Sequence, residues 1–126
     1  MDDPIRKAMV QINSDALALV SFSKDTLWVA IEYESAAKSV ARYEPLVKKY
    51  YTNQEIILIL YVCSEEAILN KIMNTEKKLY ETEFPKFFYQ LKSKITSTES
   101  LVFFNYNNRI LRFEAHKTDD QTMIQR

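Results

Sequence analysis

The sequence predicts an α/β domain in which a central mixed sheet of about five strands is flanked by helices. Two observations predict this fold class: apolar runs typical of strands occur in both halves of the chain, and amphipathic segments with helical spacing lie between them. With 126 residues, of which 47% are hydrophobic and 13% aromatic, the chain has the size and composition of one folded core. We expect residues 1–115 to form a single domain and residues 116–126 to form a polar, frayed tail.

The first half of the chain predicts two strands, a helix and a third strand. Residues 15–22 and 26–34 flank a short polar turn, so we expect them to pair as a hairpin. A helix should follow Ser35, its N-cap, and Pro45 should cause a kink or start a second helix. Residues 56–63 form a nearly continuous apolar run, which indicates a strand buried on both faces and reached by a right-handed crossover.

The second half predicts two further helices and a closing hairpin. Residues 64–79 begin with a serine and two acids, which favour a helix start, and phenylalanines recur at helical spacing over residues 81–95. The segments 100–106 and 109–114 flank two asparagines that tolerate a left-handed turn. A short helix is also predicted within residues 1–12.

Composition excludes several classes of function. The chain has no glycine, which rules out glycine-rich phosphate loops, and its 17 basic and 17 acidic side chains produce no overall field that attracts nucleic acid or membranes. Cys63 and His116 are the only residues of their types, so an internal disulfide and a Cys/His zinc cluster are excluded. No apolar run is long enough to span a bilayer, and we expect a cytoplasmic protein without membrane contact.

Three acidic residues and one lysine form the sharpest candidate site. Asp15 begins the first predicted strand, while Glu32 and Glu34 should project from one face at the end of the second. Carboxylates are the ligands that Mg²⁺ or Mn²⁺ prefers, and Lys38 would help to neutralise charge on a phosphodiester. The alternative interpretation is an acidic strand end in contact with solvent, with Lys38 on an ordinary wet helix face.

A basic segment follows the acids. Lys38, Arg42, Lys48 and Lys49 are interleaved with tyrosines, and each cation could neutralise one phosphate of a nucleic acid. The alternative is the solvated side of an amphipathic helix whose tyrosines pack inward. Both interpretations remain open from the residues alone.

The residues from Asp15 to Cys63 resemble a known family. The strands SDALAL and WVAIEYE, the helix ESAAKSVARYEPLVKKYY and the strand IILILYVC resemble the restriction-endonuclease-like fold, whose motif is PD-(D/E)xK. More narrowly, they look like the nuclease-like domain of replication-relaxation and mobilisation accessory proteins of bacterial plasmids and conjugative elements. The resemblance implies a restriction-endonuclease-like core.

The resemblance also implies roles for individual residues. Asp15 looks like the first metal ligand and Glu32 like the second, for Mg²⁺ or Mn²⁺. Glu34 stands where an active nuclease has lysine, and Ser14 stands where proline usually precedes the aspartate. The catalytic set would then be Asp15, Glu32, Glu34 and Lys38, with Lys38 reaching back from the helix.

The departures from the motif imply a DNA-processing accessory or nucleic-acid-binding protein of a plasmid or other mobile element, with a degenerate nuclease-like core. Its partners would be DNA and a relaxase or another protein. Two other functions remain open: an active Mg²⁺-dependent DNA nuclease, and a protein–protein interaction or regulatory module without DNA binding.

Overall fold

The computed structural model describes residues 16–22, 25–96, 100–114 and 124–125, and the side chains of residues 27–96 and 100–113. The helix predicted within residues 1–12 lies outside them. The described strands are β1 (Ala16–Phe22), β2 (Asp25–Glu34), β3 (Ile59–Cys63), β4 (Phe87–Leu91), β5 (Ser100–Phe104), β6 (Ile110–Glu114) and β7 (Ile124–Gln125). The described α-helices are α1 (Val40–Thr52) and α2 (Glu66–Leu79), and a 3₁₀ turn covers Lys92–Lys94.

All described strands belong to one mixed sheet, in the order β6-β5-β4-β3-β2-β1-β7. The antiparallel pair β1–β2 forms the predicted hairpin, and β2, β3 and β4 run parallel to one another. Helix α1 connects β2 to β3, and α2 connects β3 to β4. The α/β class and the mixed sheet are therefore confirmed: the five predicted strands are present, and β4 and β7 join them.

Both helices pack on the same face of the sheet. Their buried side chains share one core cluster with alternate residues of β3 and β4 (Tyr43, Val47, Tyr50, Ile68, Leu69, Ile72, Ile59, Tyr61, Phe87 and Tyr89). Because the strand order advances in one direction while both helices stay on one side, the two crossovers have the same hand. Because β2, β3 and β4 are parallel, their carboxyl ends lie at the same end of the sheet.

The opposite face carries a second, smaller core. Val29 of β2 and Leu60 of β3 pack there against Phe103 of β5 and Phe113 of β6. Since β5 and β6 extend the same sheet, the sheet must curl to bring these phenylalanines over its own surface. Among the described residues, this face is covered by strands rather than by a helix.

The prediction of a helix over residues 81–95 is wrong, because β4 occupies the centre of that segment. Phe87 and Tyr89 are buried beneath the helices, and Phe88 packs on the opposite face. The phenylalanine spacing fits a helix, but a strand covered on both faces accepts the same apolar run, and aromatic residues favour strands. Phe84, which the helical interpretation placed in the apolar stripe, is 71% exposed.

Helix α1 begins later than predicted, with Ser39 rather than Ser35 at its N-cap position. The preceding backbone makes tertiary contacts instead: the Lys38 N–H donates to the Tyr43 hydroxyl, and the Lys38 carbonyl accepts from the Lys71 ammonium. The helix continues through Pro45, which lies in its second turn. Neither described helix is long and apolar enough to cross a membrane.

The closing hairpin forms as predicted. Asn108 has a φ of 62°, the left-handed conformation that asparagine tolerates better than most residues. The Asn105 side-chain oxygen accepts hydrogen bonds from the backbone N–H groups of Asn107 and Arg109. Asparagine thus supplies the turn geometry that glycine provides in other proteins.

Candidate functional site

Glu32 and Glu34 lie at the carboxyl end of β2, on the face that the helices cover. Each is only 7% exposed. The parallel register pairs Glu32 with Tyr61 and Glu34 with Cys63 on β3. The two carboxylates, two residues apart on one strand, therefore share a face, and the helices rather than bulk solvent surround them.

A tyrosine of α1 contacts the first of these acids. The Tyr50 hydroxyl donates a hydrogen bond to Glu32 Oε2 in the buried region. Tyr50 is itself packed edge-on against Phe87, with ring centroids 5.6 Å apart. Because hydrogen bonds to a carboxylate are stronger than those between neutral groups, the phenol stabilises the anionic form of Glu32 and orients it.

Lys38 contacts the second acid. Its Nζ forms an ion pair with Glu34 Oε2, and the side chains are 41% and 10% exposed respectively. The Lys38 N–H donates to the Tyr43 hydroxyl at 3.0 Å, and the Lys71 Nζ donates to the Lys38 carbonyl at 2.9 Å. Both helices thus position the backbone of Lys38, and its ammonium lies between the buried acid and solvent.

The groups of β3 beside the acids are chemically inert. Burial, with a smaller contribution from the nearby Glu34 carboxylate, raises the pKa of the Cys63 thiol to about 12. Burial and the charges of Glu32 and Glu34 raise the pKa of Tyr61 as well. Cys63 is therefore a thiol and Tyr61 a neutral phenol at physiological pH.

Asp15, the first metal ligand that the resemblance implies, lies outside the described residues. In the described part of the hairpin, Ala16 of β1 pairs with Ile31, the residue before Glu32. Within the described side chains, no group of three or more His, Cys, Asp and Glu residues converges to hold a metal ion. Glu32 and Glu34 supply the hard oxygen donors that suit Mg²⁺ or Mn²⁺, and a complete ligand set needs a third.

Three of the four predicted nucleic-acid-binding residues lie on α1, and the fourth precedes it. Arg42, Lys48 and Lys49 are exposed on α1, and within the described side chains none of them forms an ion pair. Arg42 and Lys49 are seven residues apart and share one side of α1, whereas Lys48 points about 100° away from Lys49. Lys38 lies before the helix and contacts Glu34.

A second buried acid, Glu76 of α2, was not identified from the sequence. It is 0% exposed; its Oε1 accepts from the Tyr89 hydroxyl at 2.8 Å, and its Oε2 accepts from the Phe87 N–H at 3.1 Å and from the Tyr51 hydroxyl. Burial raises its pKa to about 7, against the opposing effect of these hydrogen bonds. The signal that marks it is its place four residues after Ile72, on the apolar side of α2.

The contacts of Tyr50 and Lys71 were also missed. Both residues fall on helices that the sequence predicts, but the atoms they bind belong to residues 18 and 33 positions away. Helical periodicity identifies the side of a helix that is buried and does not identify the polar atom opposite it.

Comparison of the chain with protein families, curated proteins and solved structures gives no significant match.

Proposed function

We propose that the chain is a DNA-processing accessory or nucleic-acid-binding protein of a plasmid or other mobile element, with a degenerate restriction-endonuclease-like core. One observation carries the proposal: Glu32 and Glu34 share a buried face at the carboxyl end of β2, and Lys38 contacts Glu34 there. The order of hairpin, helix and parallel strand agrees with the resemblance seen in the sequence.

The burial of the two acids supports a site over a solvated strand end. Acids at an ordinary strand end remain hydrated, because removing a carboxylate from water costs free energy unless hydrogen-bonding or charged partners compensate for the lost hydration. Glu32 and Glu34 are each 7% exposed, and a tyrosine and a lysine compensate them.

Charge balance supports a divalent cation as the ligand of the proposed site. With Asp15 as the third acid, three carboxylates and the Lys38 ammonium would sum to two negative charges when all are ionised. Asp15 and Glu32 would hold Mg²⁺ or Mn²⁺, as the resemblance implies. When bound, the ion would supply Lewis-acid stabilisation to a phosphodiester oxygen. Tyr50 would orient Glu32, and Lys38 would face the phosphate.

The proposal is tested by DNA binding and by metal binding in separate measurements. Fluorescence anisotropy with labelled oligonucleotides should show binding that weakens as salt rises, since phosphate contacts release counterions. Calorimetric titration with Mn²⁺ should show binding that Glu32→Gln and Asp15→Asn weaken, while the matched control Glu55→Gln, an exposed acid, leaves it unchanged. The absence of DNA binding at low salt would overturn the proposal and favour a protein-interaction module.

An active Mg²⁺-dependent nuclease is the second candidate, and the Lys38–Glu34 contact favours it. The ammonium of Lys38 reaches the carboxylate that occupies the motif position of the missing lysine. Incubation of plasmid DNA with Mg²⁺ or Mn²⁺ should then produce cleavage that Asp15→Ala, Glu32→Ala and Lys38→Met each abolish. A preparation that binds DNA but cleaves it with neither metal supports the accessory function.

A further inference from the structure

An open groove of roughly 440 Å³ separates the beginning of α1 from the exposed side of α2. Its lining includes Val40 of α1 and five polar residues of α2: Asn70, Lys71, Asn74, Thr75 and Lys78. Apart from the buried Thr75 hydroxyl, which donates to the Lys71 carbonyl, the polar groups are two ammonium ions and two amides, and the lining contains no carboxylate. We infer that this groove binds the phosphate backbone of a nucleic acid that extends from the Glu32–Glu34–Lys38 site; the inference rests on the proposed function.

The spacing of the donors matches a repeating polyanion. Asn70, Asn74 and Lys78 follow one another at intervals of four residues, so they form a single row along α2. Successive members of the row are about 6 Å apart along the helix axis. Side-chain amides and ammonium groups are common donors to phosphate oxygens, and a row of them can contact several phosphates of one strand.

The groove is continuous with the candidate site. Lys71 lines the groove, and its Nζ donates to the Lys38 carbonyl at 2.9 Å. An ammonium carries three N–H donors, so two remain for a phosphate oxygen after this bond. The Lys38 ammonium in turn contacts Glu34. A strand whose phosphate lay at Lys38 would therefore meet Lys71 as the next cation.

Acidic side chains flank the groove without neutralising it. Glu44 follows Val40 by one turn of α1 and is half-buried, and the exposed Glu66 precedes Asn70 by one turn of α2, at the start of the same row. Within the described side chains, neither Lys71 nor Lys78 forms an ion pair with a carboxylate. Because the whole chain has no net charge, attraction of a polyanion has to come from such a local set of cations.

The test is anisotropy titration of labelled single-stranded and double-stranded oligonucleotides without divalent metal. Lys78→Gln should weaken binding roughly five- to tenfold at about 0.1 M salt and reduce the slope of log affinity against log salt by about 0.7 to 0.9. Asn74→Asp should weaken binding further, because it places a negative charge in the row. Glu44→Gln should strengthen binding. Lys77→Gln, an exposed α2 lysine outside the lining, is the matched control and should change it less than Lys78→Gln.

The outcomes separate this inference from the proposed function. If the wild-type chain binds DNA in a salt-dependent way and neither Lys78→Gln nor Asn74→Asp changes that binding, the inference about the groove is overturned. The proposed function is unaffected by that result. No DNA binding by the wild-type chain would overturn both. Competition by polyglutamate as strong as that by a polynucleotide of equal charge would identify an acidic protein as the occupant and overturn the inference. Thermal unfolding of each variant verifies that folding is intact, and the substitutions at the exposed positions Asn74, Lys77 and Lys78 should not alter it.

Discussion

Two buried carboxylate centres lie on the same face of the sheet, and their surroundings differ. Glu76 is fully buried and accepts hydrogen bonds from three uncharged donors on α1 and β4. Glu32 and Glu34 are slightly exposed, and the cation beside Glu34 has 41% of its side chain in solvent. The first centre joins structural elements and is closed, whereas the second keeps a charged group accessible to a ligand.

The contrast shows that burial alone does not distinguish the two centres. Both centres contain glutamates that contact tyrosines of α1, and Tyr50 and Tyr51 are adjacent in sequence. The two centres lie at opposite ends of the parallel strands. Glu76 contacts the first residue of β4, whereas Glu34 is the last residue of β2. In parallel strands of an α/β sheet, ligands bind at the carboxyl ends, and the second centre lies there.

The largest effect is expected from Glu76→Ala. The substitution removes the acceptor for the Tyr51 hydroxyl, the Tyr89 hydroxyl and the Phe87 N–H, and it leaves a cavity between α2 and β4. Buried donors without acceptors should lower the free energy of unfolding by about 3 to 5 kcal/mol. Urea denaturation followed by Trp28 fluorescence measures it. A loss below about 1 kcal/mol would mean that the closed centre does not stabilise the fold.

Glu76→Gln should make stability less dependent on pH. The pKa of Glu76 rises from 4.5 in the unfolded reference to about 7, so its contribution to stability is complete below pH 4.5 and is lost as pH rises through 7. Glutamine imitates the protonated form: its oxygen can accept from Tyr51 and Phe87, and its amide can donate to Tyr89. From pH 4 to pH 8 the variant should gain about 3 kcal/mol relative to the wild type. A difference in unfolding free energy between the variant and the wild type that stays constant with pH would contradict the raised pKa of Glu76.

Tyr50→Phe should have a moderate effect that sharpens the contrast. It removes the donor to Glu32 while keeping the ring that packs on Phe87, so the free energy of unfolding should fall by about 1 to 2 kcal/mol. It should also change the affinity for Mn²⁺ in calorimetric titration, because Glu32 loses the group that orients it. Tyr51→Phe is the matched control: it should destabilise the fold and leave Mn²⁺ affinity unaltered.

The smallest effect on stability is expected from Lys38→Gln. Because the lysine is 41% exposed and lies four residues from Glu34, solvent screens the pair, and its loss should cost about 1 kcal/mol or less. DNA affinity should fall at the same time, and its salt dependence should weaken by about one phosphate contact. Anisotropy titrations over a range of salt concentrations measure both. A large loss of stability with unchanged DNA affinity would place Lys38 with the structural contacts instead.

Much of the fold could be predicted from the sequence. The period of two correctly placed Glu32 and Glu34 on one face of β2, and the nearly continuous apolar run before Ser64 correctly indicated a central strand. The candidate pair Glu32 and Glu34 with Lys38 was also predicted, since one strand and the turn after it contain all three. Helix and strand periods are local properties, so a single sequence carries them.

Only the tertiary structure decided the secondary structure of residues 81–95 and the hydrogen-bond partners of the buried acids. The run around Phe87 satisfies helical spacing and strand burial equally, and pairing with β3 resolves the conflict in favour of β4. Tyr50, Lys71 and Glu76 acquire their partners through packing of elements that are distant in the chain. By itself the sequence determined the periodicity of most elements and the local acid pair, whereas the closed and open character of the two carboxylate centres follows from how α1 and α2 cover the sheet.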